Sequence, residues 1–597
     1  MRALKNGCRL TGLLLIVLIG TFAAPRPAFA DDNNADKNAS NPSAKASPAK
    51  IDAPAPGLTE RERWLLDQVE ELKKRVAELE SKANPPAAPT AESPAAPPAP
   101  SNAANPSATL SHVSLSPTPA NSGSFSSSRD AAAVGPPQSP DKSAAAPASA
   151  GPTEPFAYAD WTWLNGTARN KDVVWDSKFF TPEVRFDTNF VSSFNHPKDD
   201  SLGGSTEIFR SNEVQVEQIS FGGDFHWQNV RGRVLTLGGM FAVTTPRNDG
   251  SVGRGQWDLR GAYKYFAEAY GGYHFNVNHG LNVDAGIFVS YIGLFSYYNF
   301  DNWAYQPSYV SSNTPWFFNG LRIQWFPTDK LKIEPWIING WQSYGRFGNK
   351  PGLGGQILYR PKPWLSMVFN NYGMGEDTLG LIGRSRIHTD DSVEVKYYDN
   401  PSKTLDKMAF SVTADLGCEY GGGVSCFGNR KGGPKQSFAG WMAYNRFWFR
   451  QDHFGLTLGY GVLDNPGRYL TLLPPINGAD AVSGSPYFPA SPGTPYKAWD
   501  TLATFDWMPK QYITFRWEYG YRHADQPYWS GRGGITPPGG NNNAPGSFVC
   551  STGASAGTAD LPTAETACGT PGSASGVWFP DLAKNEPSIR MAIMVKF

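Results

Sequence analysis

The sequence is short of charge and of long apolar runs. Only 18% of its 597 residues are Asp, Glu, Lys or Arg, and 53 basic side chains balance 53 acidic ones. A chain with no net charge, and no basic run beyond its first residues, is not built to follow a polyphosphate backbone, so a nucleic-acid partner is excluded. No stretch of 18 or more apolar residues occurs, which excludes a membrane-spanning helix in the mature chain. Cysteine (5) and histidine (8) are also scarce and never fall at CxxC or HExxH spacing. No metal or other cofactor is expected. The first quarter lacks aromatics as well: only Phe22, Phe29, Trp64 and Phe125 precede residue 155, and the other 75 of the 79 follow it.

The first thirty residues form an address. Arg2, Lys5 and Arg9 precede a mostly apolar run from Leu10 to Ala24, and Ala28-Phe29-Ala30 offers a small-residue cleavage site before Asp31. This pattern predicts a signal peptide over 1–30. Its removal takes Arg2, Lys5, Arg9 and Arg26, leaving 49 basic against 53 acidic residues. In the oxidising compartment that follows, nearest-neighbour pairing predicts disulfides Cys418–Cys426 and Cys550–Cys568.

After a segment at 31–57 expected to be disordered, Leu58, Leu65, Leu72 and Leu79 recur every seven residues, with Val69, Val76 and Ala83 beside them. That heptad seam predicts a short coiled-coil helix over 58–83, too short to be stable without partner helices. It therefore points to a homo-oligomer, with a trimer favoured for the body described next. Residues 84–154 are rich in Pro, Ala and Ser and too poor in large apolar side chains to fold. Such a linker is long enough to cross periplasmic space or to meet peptidoglycan.

The remainder, 155–597, alternates with period two. In the last segment Ile589, Met591, Ile593, Val595 and Phe597 interleave with Ser588, Arg590, Ala592, Met594 and Lys596. Before it, Ile513, Phe515, Trp517, Tyr519 and Tyr521 interleave with Thr514, Arg516, Glu518, Gly520 and Arg522. Sixteen strands are predicted near 183–194, 217–227, 231–242, 263–275, 281–293, 317–326, 331–341, 353–359, 364–372, 389–398, 406–416, 438–449, 454–463, 499–507, 512–523 and 588–597. Tight turns follow the even-numbered strands, at Gln228-Asn229, Pro327-Thr328-Asp329, Pro361-Lys362-Pro363 and Pro509-Lys510. Long loops follow the odd ones. Short turns on one rim and long loops on the other predict an all-β, antiparallel up-and-down barrel in an outer membrane. A closed barrel is required there because lipid cannot hydrogen-bond an open strand edge. Trp227, Trp325, Trp364, Trp441 and Trp507 near strand ends are expected in interfacial girdles.

Sixteen strands enclose more space than their side chains fill, so a water channel is expected. Its wall should carry both signs of charge: Arg322, Lys332 with Glu334, Glu394 with Lys396, Lys407 with Asp415, and Arg516, Arg522 and Arg590 with Glu518. The third long loop, from Tyr297 to Pro315, is the candidate constriction. Tyr297, Tyr298, Asp301, Asn302, Trp303 and Tyr305 are its named residues. No catalytic constellation is recognisable. Gly553-Ala554-Ser555-Ala556-Gly557 has the spacing of a nucleophile elbow but no strand–turn–helix context. His226 and His274 lie near Ser220 and Asn276 with no third member.

Two resemblances stand beside this reading. The terminal run Arg590-Met591-Ala592-Ile593-Met594-Val595-Lys596-Phe597 looks like the signal, centred on Val595 and Phe597, that the outer-membrane assembly machinery reads. It has Ala592 where that pattern usually has Gly. The body resembles the OmpL-like outer-membrane β-barrel porin family. The matching stretches are Asn282-Val283-Asp284-Ala285-Gly286, Ile292-Gly293, Asn302-Trp303, Asn319-Gly320-Leu321-Arg322, Asn339-Gly340-Trp341, Asp506-Trp507-Met508-Pro509 and Phe515-Arg516-Trp517-Glu518-Tyr519. The resemblance implies an outer-membrane porin for the passive diffusion of small hydrophilic solutes. The alternative is an envelope-tethering or surface-adhesion barrel with a plugged lumen.

Overall fold

Period-two alternation becomes sixteen strands in the computed structural model: β1 Phe180–Ser193, β2 Val214–Trp227, β3 Val230–Thr236, β4 Phe266–Phe275, β5 Leu281–Val289, β6 Phe317–Thr328, β7 Leu331–Ile338, β8 Gly352–Lys362, β9 Leu365–Gly373, β10 Arg384–Asp399, β11 Leu405–Gly421, β12 Ser437–Phe449, β13 Phe454–Asn465, β14 Tyr496–Lys510, β15 Ile513–Ala524 and β16 Asn585–Lys596. The structure describes residues 154–597 apart from 204–206, 250, 252–255, 347–349, 374, 376–382, 429–434, 467–494, 539–547 and 559, together with Glu70, Lys73 and Lys74. The predicted signal peptide, segment 31–57, heptad helix and linker lie outside the described residues, except that Glu70, Lys73 and Lys74 are helical and exposed.

Each strand pairs antiparallel with its sequence neighbours, and β16 returns to β1, with Arg185 opposite Lys596 and Ser193 opposite Ser588. Closure leaves no strand edge unpaired. Along β16 the side chains of Glu586, Ser588, Arg590, Ala592 and Met594 are buried inside, while Met591 and Ile593 are exposed outside. The same alternation runs through β15, with Arg516, Glu518 and Arg522 inward and Trp517 and Tyr519 outward. Burial on the inner face comes from the lumen contents, and the outer face is left exposed.

The short turns explain themselves chemically. Between β2 and β3, Gln228 and Asn229 both adopt positive φ (48° and 68°), as a two-residue turn that follows strand twist requires. Three other turns differ from expectation. The two-residue loops are Asp329-Lys330, Pro363-Trp364 and Gln511-Tyr512, each later in the chain than the proline-centred guess. Pro327, Pro361 and Pro509 instead fall where the strand registers shift. A proline has no N–H to give to the ladder and is tolerated at such irregularities.

Three strands end three or more residues earlier than predicted. β3 stops at Thr236, and Phe241–Thr244 forms a helical turn beyond Gly239, whose φ of 84° breaks the extended run. β5 stops at Val289 because the chain then turns into the barrel, and β7 stops at Ile338. The long loops all leave the opposite rim. In the last of them, Cys550 on a two-residue ribbon strand joins Cys568 at the end of helix Leu561–Cys568. Cys418, near the end of β11, joins Cys426 in the loop before β12.

The girdle tryptophans are all on the outer face. Trp227, Trp325, Trp364 and Trp507 lie toward the short-turn rim, and Trp507 stacks on Phe515 with centroids 5.0 Å apart. Trp441, Tyr460, Trp499 and Tyr521 form a second aromatic row nearer the long-loop rim, with successive centroids 5.6, 6.4 and 5.5 Å apart.

Candidate functional site

Among the described residues, two long stretches that belong to no barrel strand run through the lumen. One is the third long loop, residues 290–316, every residue of which from Ser290 to Thr314 is buried. The other is the chain just before β1, residues 156–170. The sequence predicts a water channel with the third loop as its candidate constriction; residues 156–170, which the sequence reading left outside the lumen, enter it as well.

Wall residues from more than half the circumference hold the loop. At β1, Arg185 Nη1 lies 2.6 Å from Asp301 Oδ2, and Asp187 accepts from the Tyr305 hydroxyl (2.8 Å) and from Asn299 Nδ2 (2.9 Å). At β4, Glu268 accepts from the Tyr298 hydroxyl at 2.9 Å and the Ala267 carbonyl accepts from Tyr297 at 3.2 Å. The Arg185 guanidinium also covers the Tyr298 ring at 3.9 Å. At β12, Arg446 donates to the Trp303 carbonyl (3.2 Å), and the Trp303 ring meets Trp448 edge-on. At β14, Asp500 accepts from the Ser308 hydroxyl and the Tyr309 amide at 2.9 and 2.7 Å. At β15, Glu518 receives the Tyr305 and Gln306 amides (2.7 and 2.9 Å), while Arg516 donates to the Asn299 and Asn302 carbonyls, both at 2.9 Å. Lys596 at the end of β16 reaches Asp301 at 3.2 Å.

Asp301 is thus tied to the first strand and to the last. Burial works to raise its carboxyl, but Arg185 and Lys596 beside it outweigh that and hold it below the usual carboxylate range. Glu207, in the first long loop, has the opposite balance. Burial pushes it well above its ordinary value, and both its carboxylate oxygens lack a hydrogen-bond partner among the described residues.

The second segment crosses the short-turn mouth. The Phe156 amide donates to Asp329 in the β6–β7 turn at 2.7 Å, and Asn170 Nδ2 donates to Gln511 in the β14–β15 turn at 2.9 Å. Those turns lie eight strands apart in a ring of sixteen. Between them Trp161, Trp163, Leu164 and Ala168 are buried in one cluster with Phe295 and Trp303 of the loop.

A closed sixteen-strand barrel with charged inner wall and inward third loop is a porin's geometry, and the sequence agrees. Residues 185–554 match the family "Putative beta-barrel porin-2, OmpL-like". The chain belongs to this family of outer-membrane barrels. No curated protein matches the sequence. Similar solved structures include the outer membrane channel DcaP of Acinetobacter baumannii, 11% identical over 70% of this chain and 96% of its own, at a TM-score of 0.37. An anion-selective porin from Comamonas acidovorans is 10% identical over 70% of this chain and 99% of its own, at 0.35. OprD from Pseudomonas aeruginosa is 11% identical over 70% and 94%, at 0.31.

In this porin-family barrel the eleven charges assigned to the wall all lie on its inner side, but several partners differ from those expected. Lys332 does pair with Glu334, and Arg590 with Glu518 at 3.1 Å. Arg322 pairs with Asp284 and lies over the Tyr270, Phe288 and Trp336 rings. Arg516 takes Asp506 (2.6 Å), and Arg522 takes the Pro307 carbonyl (2.7 Å). Lys396 pairs with Asp399 (2.5 Å) across the bulge in β10 rather than with Glu394. Glu394 instead interacts with Arg360. Lys407 reaches Asp452 in the β12–β13 turn (2.6 Å), not Asp415. Adjacent inward positions on one strand compete with closer groups on turns and neighbouring strands, which spacing cannot rank.

Ser555 lies in the exposed last loop, where its hydroxyl accepts the Gly557 amide. His226 approaches Thr181 and His274 approaches Asn282, neither approaching Ser220. Sequence reasoning missed the crossing segment, although Phe156, Tyr158, Trp161 and Trp163 are a dense aromatic run directly after a linker nearly devoid of them.

Proposed function

We propose that this chain is a diffusion porin, passing small hydrophilic solutes through a lumen narrowed by its third loop. The observation that carries the reading is the seat of that loop. Asp301 is bound to Arg185 and Lys596, and Tyr305 to Asp187, so the constriction is a fixed part of the barrel rather than a loose surface loop. Tyr297, Tyr298, Asn302 and Trp303 complete it. Fixed charges of both signs along the inner wall favour hydrated solutes over apolar ones.

In this reading the short turns and both chain ends face the periplasm, and the aromatic rows sit at the two lipid interfaces. Val595 and Phe597 present the outward end of β16 to the assembly machinery. The heptad helix and barrel make a trimer the favoured assembly, with the leader free to reach peptidoglycan. The test is planar-bilayer conductance of the folded, signal-cleaved protein, with liposome swelling in sugars. Conductance steps arriving in threes support the trimeric pore. A heat-modifiable barrel that passes neither ions nor sugars, with or without residues 156–170, refutes it. A second reading, a tethering or adhesion barrel with a closed lumen, draws support from residues 156–170 across the mouth.

A further inference from the structure

Residues 156–170 span the short-turn mouth from one side to the other without joining the sheet. Their ends rest on turns, at Asp329 and at Gln511 with Lys596. Their middle rests on the third loop. The Gly166 amide donates to the Asp301 carbonyl at 2.8 Å, and Asn165 Nδ2 donates to the Asp301 carboxylate at 3.0 Å. The approach at Gly166 is so close that a Cβ there would overlap the Asn302 carbonyl oxygen. Only glycine permits this crossing of two backbones.

Two charged groups that meet the segment keep other partners. Arg446 donates to the Gly166 carbonyl at 2.7 Å, yet it also holds Asp506 (2.7 Å) and Thr457 (2.8 Å). Asp301 likewise keeps Arg185 and Lys596 if Asn165 leaves. The segment itself has an unmet group, since the buried indole N–H of Trp163 has no acceptor among the described residues. Return to water would satisfy it. The stretch is held by side chains and turns, with no β-ladder, whereas the walls are continuous hydrogen-bonded strands. On its other side it is continuous with the Pro/Ala/Ser-rich leader.

We propose that residues 156–170 are a displaceable plug: seated, they close the short-turn mouth, and the path through the lumen opens when they leave. The inference rests on the porin reading above.

The test uses single-channel recording of the full signal-cleaved chain beside two variants. In the first, Thr167→Cys with Thr514→Cys, whose native hydroxyls lie 2.8 Å apart, ties the plug to β15 on oxidation. The second deletes 156–170. Wild type with and without reductant controls for the native disulfides. The expected result is loss of openings in the oxidised double-cysteine chain, their return with reductant, and loss of the closed state in the deletion. If the oxidised chain conducts with the same steps as wild type, the plug is overturned and the porin reading stands. If every form is silent, including a heat-modifiable deletion barrel, the porin reading falls and the plug with it.

Discussion

Arg185 and Asp301 fasten the third loop to the barrel wall. The guanidinium of β1 and the carboxylate of the loop lie 2.6 Å apart, both are buried, and Lys596 closes on the same carboxylate from the last strand. First and last strands thus hold the loop at the place where they meet.

Replacing Asp301 by Asn should therefore cost more than a surface change. It leaves Arg185 and Lys596 facing a neutral amide, and breaking one side of a buried pair typically costs about 3–5 kcal/mol. The expected outcome is a barrel that still forms but has noisier and larger conductance steps and a lower midpoint of heat modification.

The same pair sets an acid limit. The folded Asp301 carboxyl lies below its unfolded value, so its contribution is complete above the ordinary carboxylate pKa of about 4 and is lost as pH falls through the lower folded value. Loop noise in bilayer recordings should stay flat from neutral pH down to about 4 and rise only below it. Asp301→Asn should show noise at all pH values.

Glu207 predicts the opposite sign. Its folded carboxyl is raised by burial, so the folded state holds the proton more tightly and stability falls as pH rises above the unfolded value of about 4.3. Glu207→Gln should raise the heat-modification midpoint at pH 8, with the gain vanishing near pH 4. A midpoint that falls at pH 8 would contradict the burial of an unpartnered carboxylate.

Leu458 faces outward in the middle of β13 and is 47% exposed. If that surface is covered by lipid, Leu458→Arg should destabilise the barrel by about 2–4 kcal/mol in denaturant titrations in bilayers, and Leu458→Val hardly at all. Equal stability of the two would deny that this face meets hydrocarbon.

The disulfide of the last loop should be dispensable for the barrel. Cys550 and Cys568 join a ribbon to a helix within the last long loop, outside the strand ladder. Replacing both by Ser should leave the heat-modifiable band in place while making residues 525–584 newly sensitive to protease.

What the sequence determined was everything that local order controls. Alternation in Ile589 to Phe597 and in Ile513 to Arg522 assigned each side chain to a face, since a strand's period is two and needs no distant partner. Turn chemistry at Gln228-Asn229 and the contrast of short and long connections then gave strand number, rims and barrel class. Prolines misplaced three turns by a residue or two, because a bulge and a turn use the same residue. The tertiary structure alone decided what fills the lumen. Arg185 meets Asp301 across 116 residues, and Thr167 meets Thr514 across 347. No local preference of either partner encodes such a meeting. It follows from closing the sheet, which brings β1, β15 and β16 together around the loop and the leader and makes their charges one another's nearest neighbours.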